Sequence, residues 1–176
     1  MKTAVAATAT LLATGFGLLQ LIPTPAGSNP PVKPGHSIEA YLPLPHEIRN
    51  VFDRACRDCH SNTTRWPWYG RVAPMSWLLA RDVTKARQVM NLSDWPATAG
   101  RTPTLTAATL LAACAGVESG RMPLAGYRML HPTSRLSPAE IRTFCGWARS
   151  ESERIITGGR HSVIRAAQPD ALEGRP

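Results

Sequence analysis

The sequence predicts an all-α fold, and three observations carry that prediction. Apolar residues recur at three- and four-residue spacing in separate stretches, a capping box opens the last of these, and no segment reads as a strand. The chain has 176 residues, 43% of them hydrophobic, which suits one ordinary domain with tails. Its formal charge is +8, yet the basic residues are scattered singly between Arg49 and Arg175. No block of the kind that binds nucleic acid is present, so the charge reads as a bias toward acidic protein partners.

The first element is an apolar run over residues 4–22, preceded by Lys2, the only charged residue before Lys33. It lacks a polar face and is followed by a Pro-rich stretch, which argues against a buried core helix. Residues 1–26 therefore read as an export signal or a membrane anchor. Thr24-Pro25-Ala26 places small residues where a signal peptidase inspects the chain, so cleavage after Ala26 would leave a soluble periplasmic protein. The run is also about long enough to span a bilayer, and without cleavage the protein would stay tethered to the inner membrane. Both readings stand.

Residues 27–45 are Pro-rich and read as an extended linker. The domain proper is expected over residues 46–156. Its first helix covers residues 46–56, with Ile48, Val51, Phe52 and Ala55 on one face. A loop over 61–74 leads to a helix over 75–90, with Trp77, Leu78, Ala80 and Val83 apolar. A second loop follows over 91–104. The next helix, 105–117, turns Leu110, Leu111, Cys114 and Val117 to one face, and Gly116 and Gly120 bracket its end. Residues 120–134 read as irregular chain. The last helix opens on Ser137-Pro138-Ala139-Glu140, a capping box with Pro at the first helical position, and should reach about Glu151. Its inward face is Ile141, Phe144, Cys145 and Ala148, with Trp147 at the margin. The tail, 157–176, has little periodicity and reads as mobile.

The chemistry is concentrated in Cys56-Arg57-Asp58-Cys59-His60. Two thiols three positions apart at a helix end can each form a thioether to one haem vinyl group, with the adjoining histidine beneath the iron. Three other readings compete. A thioredoxin-type redox pair needs a βαβ context that is missing, and a structural zinc site needs a second ligand pair at short spacing. The third is two ordinary core cysteines beside a chance histidine. Export together with the motif favours one covalent haem c, its iron held by His60.

The sixth iron position has a leading candidate in Met122, because Gly120-Arg121-Met122-Pro123 sets a methionine in irregular chain where a thioether can reach iron. A core-filling role for Met122 is the alternative. His131 is the rival ligand and would give a bis-His haem; Met129 and Met75 are further candidates. The stretch Arg65-Trp66-Pro67-Trp68-Tyr69-Gly70-Arg71 suits a haem edge, with Trp66 and Trp68 as apolar wall and Arg65 or Arg71 pairing with a propionate. Ordinary loop packing and solvated arginines are the other reading. Cys114 and Cys145 lie on the inward faces of separate helices, which permits a disulfide as well as two buried thiols.

These residues resemble a bacterial family described as haem-binding domain proteins, a branch of exported monohaem cytochromes c. The resemblance extends through Asn29-Pro30-Pro31-Val32, Cys56 to Asn62, Trp66 to Tyr69, Ala73 to Trp77, Asn91 to Trp95, Gly120 to Pro123, His131-Pro132 and Leu136-Ser137. It departs at Lys85-Ala86-Arg87, where Gly-Arg is expected. The resemblance implies a class I cytochrome c-like helical fold whose first and last domain helices cross near Phe52 and Trp147, and it supports Met122 over His131. It names a cofactor and no pathway. The expected function is one-electron transfer in the periplasm with redox partner proteins, without enzymatic activity. The alternative is a haem enzyme subunit or a gas or redox sensor with a labile sixth ligand.

Overall fold

The computed structural model describes residues 1–23 and 27–167, and of residues 159–167 the backbone alone. The expected cleavage site at 24–26 and the end of the tail, 168–176, lie outside the described residues. Six helices run in the order α1 (Lys2–Leu19), α2 (His46–Ala55), α3 (Met75–Val89), α4 (Pro103–Glu118), α5 (Ala125–Leu130) and α6 (Pro138–Ala167). Short 3-10 turns lie between them, and there is no strand among the described residues. The all-α expectation holds.

Burial follows the apolar spacing. Helix α2 buries Ile48, Val51 and Phe52, and α4 buries Leu110, Cys114 and Val117. These meet Phe144, Cys145 and Ala148 of α6 in one core. Helices α2 and α6 cross where Phe52 meets Phe144 edge to face, with ring centroids 5.4 Å apart, and Trp147 at 5.9 Å. The α4 and α6 helices form the most extensive helix pair, and Cys114 and Cys145 join them as a disulfide with Cα atoms 5.0 Å apart. The capping box of α6 is formed: the Ser137 N–H donates to Glu140 Oε2 at 2.7 Å and the Glu140 N–H to Ser137 Oγ at 3.2 Å. Arg54 of α2 reaches the same Glu140 carboxylate and ties the two helices at their ends.

Three segments differ from the sequence expectation. The Pro-rich stretch 27–45 contributes to the core, because a 3-10 turn at Ile38–Ala40 buries Ile38 and the chain after it buries Leu42. Its backbone is stitched to the loop after α3 by the Ile38 N–H to Leu92 O bond at 2.9 Å. Residues 120–134 hold a helix, α5, whose six residues are too few for periodicity to show. Helix α6 runs past Glu151 to Ala167. Its added turns are held at their start by buried Ser152, whose hydroxyl donates to Ala107 O of α4 at 3.1 Å, and by Ile155 packed on the core.

Helix α1 stands apart from this body. None of its residues is buried, its mean hydropathy is 1.3, and at 18 residues it is about 27 Å long. Its length and composition suffice to cross a membrane, as they would for a signal sequence.

Candidate haem site

The α2 helix ends at Ala55, and the chain turns sharply through the cysteine motif. The Cys59 N–H donates to Cys56 O at 3.1 Å and the His60 N–H to the same oxygen at 2.8 Å. This turn brings both sulfurs and the imidazole to one side of the core. Two adjoining cavities of about 280 and 350 Å³ open there and share Ala55, His60, Val89 and Met122 as walls. They are two lobes of one cleft. Cys59 lines the first, with Ala86, Leu124, Tyr127, Asp82 and Lys85 among its other walls. Cys56 lines the second, which is walled by Phe144 and by small residues of α4: Ala108, Thr109, Ala112 and Ala113.

The α4 helix opens this space because its face toward the cleft is short-chained. The Met122 side is set by the end of the same helix. Gly120 adopts φ of +69°, a left-handed conformation that side chains resist, and reverses the chain. The Met122 N–H then donates to Gly116 O at 2.9 Å. A Cβ on Gly116 would meet Met122 Cγ at 3.5 Å, so the methionine lies over the last turn of α4. It remains 41% exposed.

His60 is held from several directions. Its Nδ1–H donates to Met90 O at 3.1 Å, which leaves Nε2 as the bare nitrogen, and its own carbonyl accepts from Leu92 N at 2.7 Å. Burial pushes its pKa down despite hydrogen bonding to the backbone of Met90 and Ala86, which favours the neutral ring that a metal ligand requires. Burial also pushes the Cys56 thiol up to about 12, and that of Cys59 up to about 11 with Asp58 and Asp82 adding to the effect. The two thiols are not bonded to each other. A thioredoxin-type pair needs a βαβ unit, and there is no strand among the described residues. The zinc reading loses its second pair, since Cys114 and Cys145 are bonded to one another.

The loop after His60 is laced to the loop after α3 by residues that sequence reasoning gave no role. Asn91 donates from Nδ2 to Asn62 Oδ1 at 2.8 Å, and the Asn62 N–H donates to Ser93 Oγ at 3.1 Å. Arg87 completes the brace: it donates to Ser61 O at 2.7 Å, to Asn29 Oδ1 at 2.8 Å and to Thr64 Oγ1 at 2.8 Å. The neighbouring Ala86, where glycine was expected, sits within continuous α3 and lines the cleft. The motif runs Asn29, Ser61-Asn62 and Asn91-Leu92-Ser93 were visible as words, but their meaning lies in bonds across tens of residues.

The aromatic stretch stands outside the cleft walls. Trp66 packs its ring over Gly27 and donates from Nε1 to Asn29 Oδ1 at 3.1 Å. Trp68 is 78% exposed, and Arg65 pairs with Asp58 at 3.3 Å while its side chain stays in solvent. The structure thus does not bring Arg65, Trp66 or Trp68 to the walls shared with His60, because the loop turns their side chains to the strap and to water. His131 is likewise engaged elsewhere: Nε2 meets the Tyr69 hydroxyl at 2.7 Å, and the ring stacks on Tyr127 at 4.3 Å. Tyr127, which sequence reasoning did not single out, lines the cleft and donates to Asp58 Oδ2 at 2.7 Å. Burial and that bond push its hydroxyl pKa upward.

Fold and site define a helical protein with a cleft for a flat apolar prosthetic group, bordered by two thiols, an imidazole and a thioether. The donor set fits haem. The chain belongs to the haem-binding domain family, whose sequence model matches residues 14–150. No curated protein and no solved structure matches it.

Proposed function

We propose that this haem-binding protein is an exported monohaem c-type cytochrome that carries single electrons. The observation that carries the reading is the cleft itself: Cys56, Cys59, His60 and Met122, from two parts of the chain, all face it. When bound, haem supplies an iron that cycles between ferric and ferrous states. Cys56 and Cys59 would hold it through thioethers, and His60 would offer Nε2 while Met90 O orients the ring. Met122 would offer a thioether, a ligand that would favour the ferrous state relative to a second imidazole. If His60 and Met122 both held the iron, protein side chains would keep substrates from the metal.

Met122 is favoured over His131 because His131 is already bonded to Tyr69, stacked on Tyr127 and absent from the cleft walls. The apolar α1 supports export, and the net positive charge suits encounter with acidic redox partners. Haem staining on a denaturing gel tests covalent attachment, and Cys56→Ser with Cys59→Ser should abolish it. In the ferric protein a thioether-to-iron charge-transfer band should be present and should vanish in Met122→Ala. Rapid carbon monoxide binding by the unmutated ferrous protein would instead favour a sensor or haem enzyme with a labile sixth ligand.

A further inference from the structure

A groove of about 350 Å³ adjoins the cleft on the side of Cys59 and Tyr127 and is walled by Met75, Leu78, Met129 and Leu130. All four of these side chains are substantially exposed, Met129 at 70%. Trp68 adds a ring at 78% exposure, edge to face against Tyr69 of the groove wall. Scattered exposed apolar residues need no explanation, but a contiguous set of this kind marks a contact surface.

What covers the surface is indicated by where α1 joins the body. Gln20, directly after the helix, pairs with the backbone of buried Ala73: its Oε1 accepts from Ala73 N at 2.9 Å and its Nε2 donates to Ala73 O at 3.3 Å. Ala73 is two residues from Met75, the first residue of α3 and a wall of the groove. The end of a membrane-length helix is therefore pinned beside the exposed apolar face. The face also has the composition of a bilayer interface. Trp68 has a broad apolar body with one donor, and exposed Arg65 and Arg71 flank it, suited to lipid phosphates.

We propose that α1 is retained as a membrane anchor and that the face of Trp68, Met75, Leu78, Met129 and Leu130 rests on the surface of the same bilayer. The proposal rests on the export reading and not on the identity of the iron ligands. The groove carries Cys59 in its wall, so the Cys59 side of the cleft faces the lipid headgroups.

The test is hydroxyl-radical footprinting of the full-length haem-loaded protein in nanodiscs of mixed zwitterionic and anionic phospholipid, read by mass spectrometry. Leu105 and Leu111 of α4 serve as internal references, since they are exposed and line neither the groove nor the cleft. Labelling of Trp68, Leu78 and Met129, scaled by exposure and by each side chain's intrinsic reactivity, should fall roughly fivefold or more below these references, as residues seated in an interface are shielded from water. In Trp68→Glu with Met129→Glu, Leu78 labelling should rise toward the references while the haem absorption stays unchanged. Equal labelling of face and references would overturn the proposal and leave the face to a protein partner. So would an exported protein whose mass lacks the first 26 residues. A protein without haem would fail the functional reading alone, because the footprint is measured independently of the iron.

Discussion

Removing the Cys114–Cys145 disulfide should lower the melting temperature by an amount that the chain connectivity sets. The bond joins α4 to α6 across 31 residues of sequence, a span that includes Met122, α5 and the α6 cap. In the chain-entropy description, closing a loop of this length restricts the unfolded chain by roughly 3.5–4 kcal/mol. For a domain of this size each kcal/mol corresponds to roughly 3–5 °C, so Cys114→Ala with Cys145→Ala should melt roughly 10–20 °C lower. Both cysteines are buried, and the paired alanines leave less packing behind, which pushes the effect toward the upper end. The assay is far-ultraviolet circular dichroism of the haem-loaded protein during heating, with oxidised wild type as reference. Because the variant keeps the α4 residues that wall the cleft, its Soret absorption at room temperature should match wild type. A shift under roughly 4 °C would refute the reasoning, since the loop entropy would then be offset elsewhere or already limited in the unfolded ensemble.

Other outcomes follow from the same contacts. Replacing Met122 with His exchanges a thioether for an imidazole and should lower the reduction potential in a spectroelectrochemical titration; an unchanged or higher potential would count against Met122 as ligand. Arg87→Lys keeps the charge but cannot bridge Ser61, Asn29 and Thr64 together, so it should cost about 1–3 kcal/mol in denaturant unfolding, with Arg87→Ala costing more. Asp94 is held below the usual carboxylate range by hydrogen bonds from His36 and Lys33. Its depressed pKa gives stability that is present above about pH 4, the unfolded value, and is lost as pH falls through the folded one, so Asp94→Asn should flatten the acid limb of a stability profile. Gly100→Ala would set a Cβ 2.5 Å from the ring of buried Trp95 and should destabilise the fold; an unchanged unfolding midpoint would show that the loop yields freely.

The parts of this protein that were legible in the sequence are those governed by local rules. Helix α2 and the α6 cap could be read because Ile48, Val51 and Phe52 repeat at helical spacing and Ser137 meets Glu140 within one turn. Cys56, Cys59 and His60 could be read because their chemistry needs that spacing. The parts that were not legible depend on distant partners. Arg65, Trp66 and Trp68 had composition suited to a haem edge, yet composition does not say which way a loop faces, and Asn29 and Asp58 draw two of them aside. Arg87 was visible only as part of a Gly-Arg-like word and Tyr127 not at all, since the roles of both rest on partners 58 and 69 positions away.

The two sides of the cleft are built with unequal stiffness, and this bears on the proposed use of the iron. His60 is fixed at its amide by Cys56, at its carbonyl by Leu92 and at its ring by Met90, while Arg87 and Asn62 brace the loop that follows. Met122 is held by its amide bond to Gly116 O, with its side chain 41% exposed, just after the left-handed turn at Gly120. In the proposed carrier, a rigid histidine side would limit reorganisation around the iron when it changes oxidation state. On that proposal, the methionine side would decide between a closed carrier and an open ligand site. Stiffening or loosening the turn at Gly116 and Gly120 should therefore change carbon monoxide access while leaving the His60 bond as it is, whereas changes at Asn62 or Arg87 should act on both together.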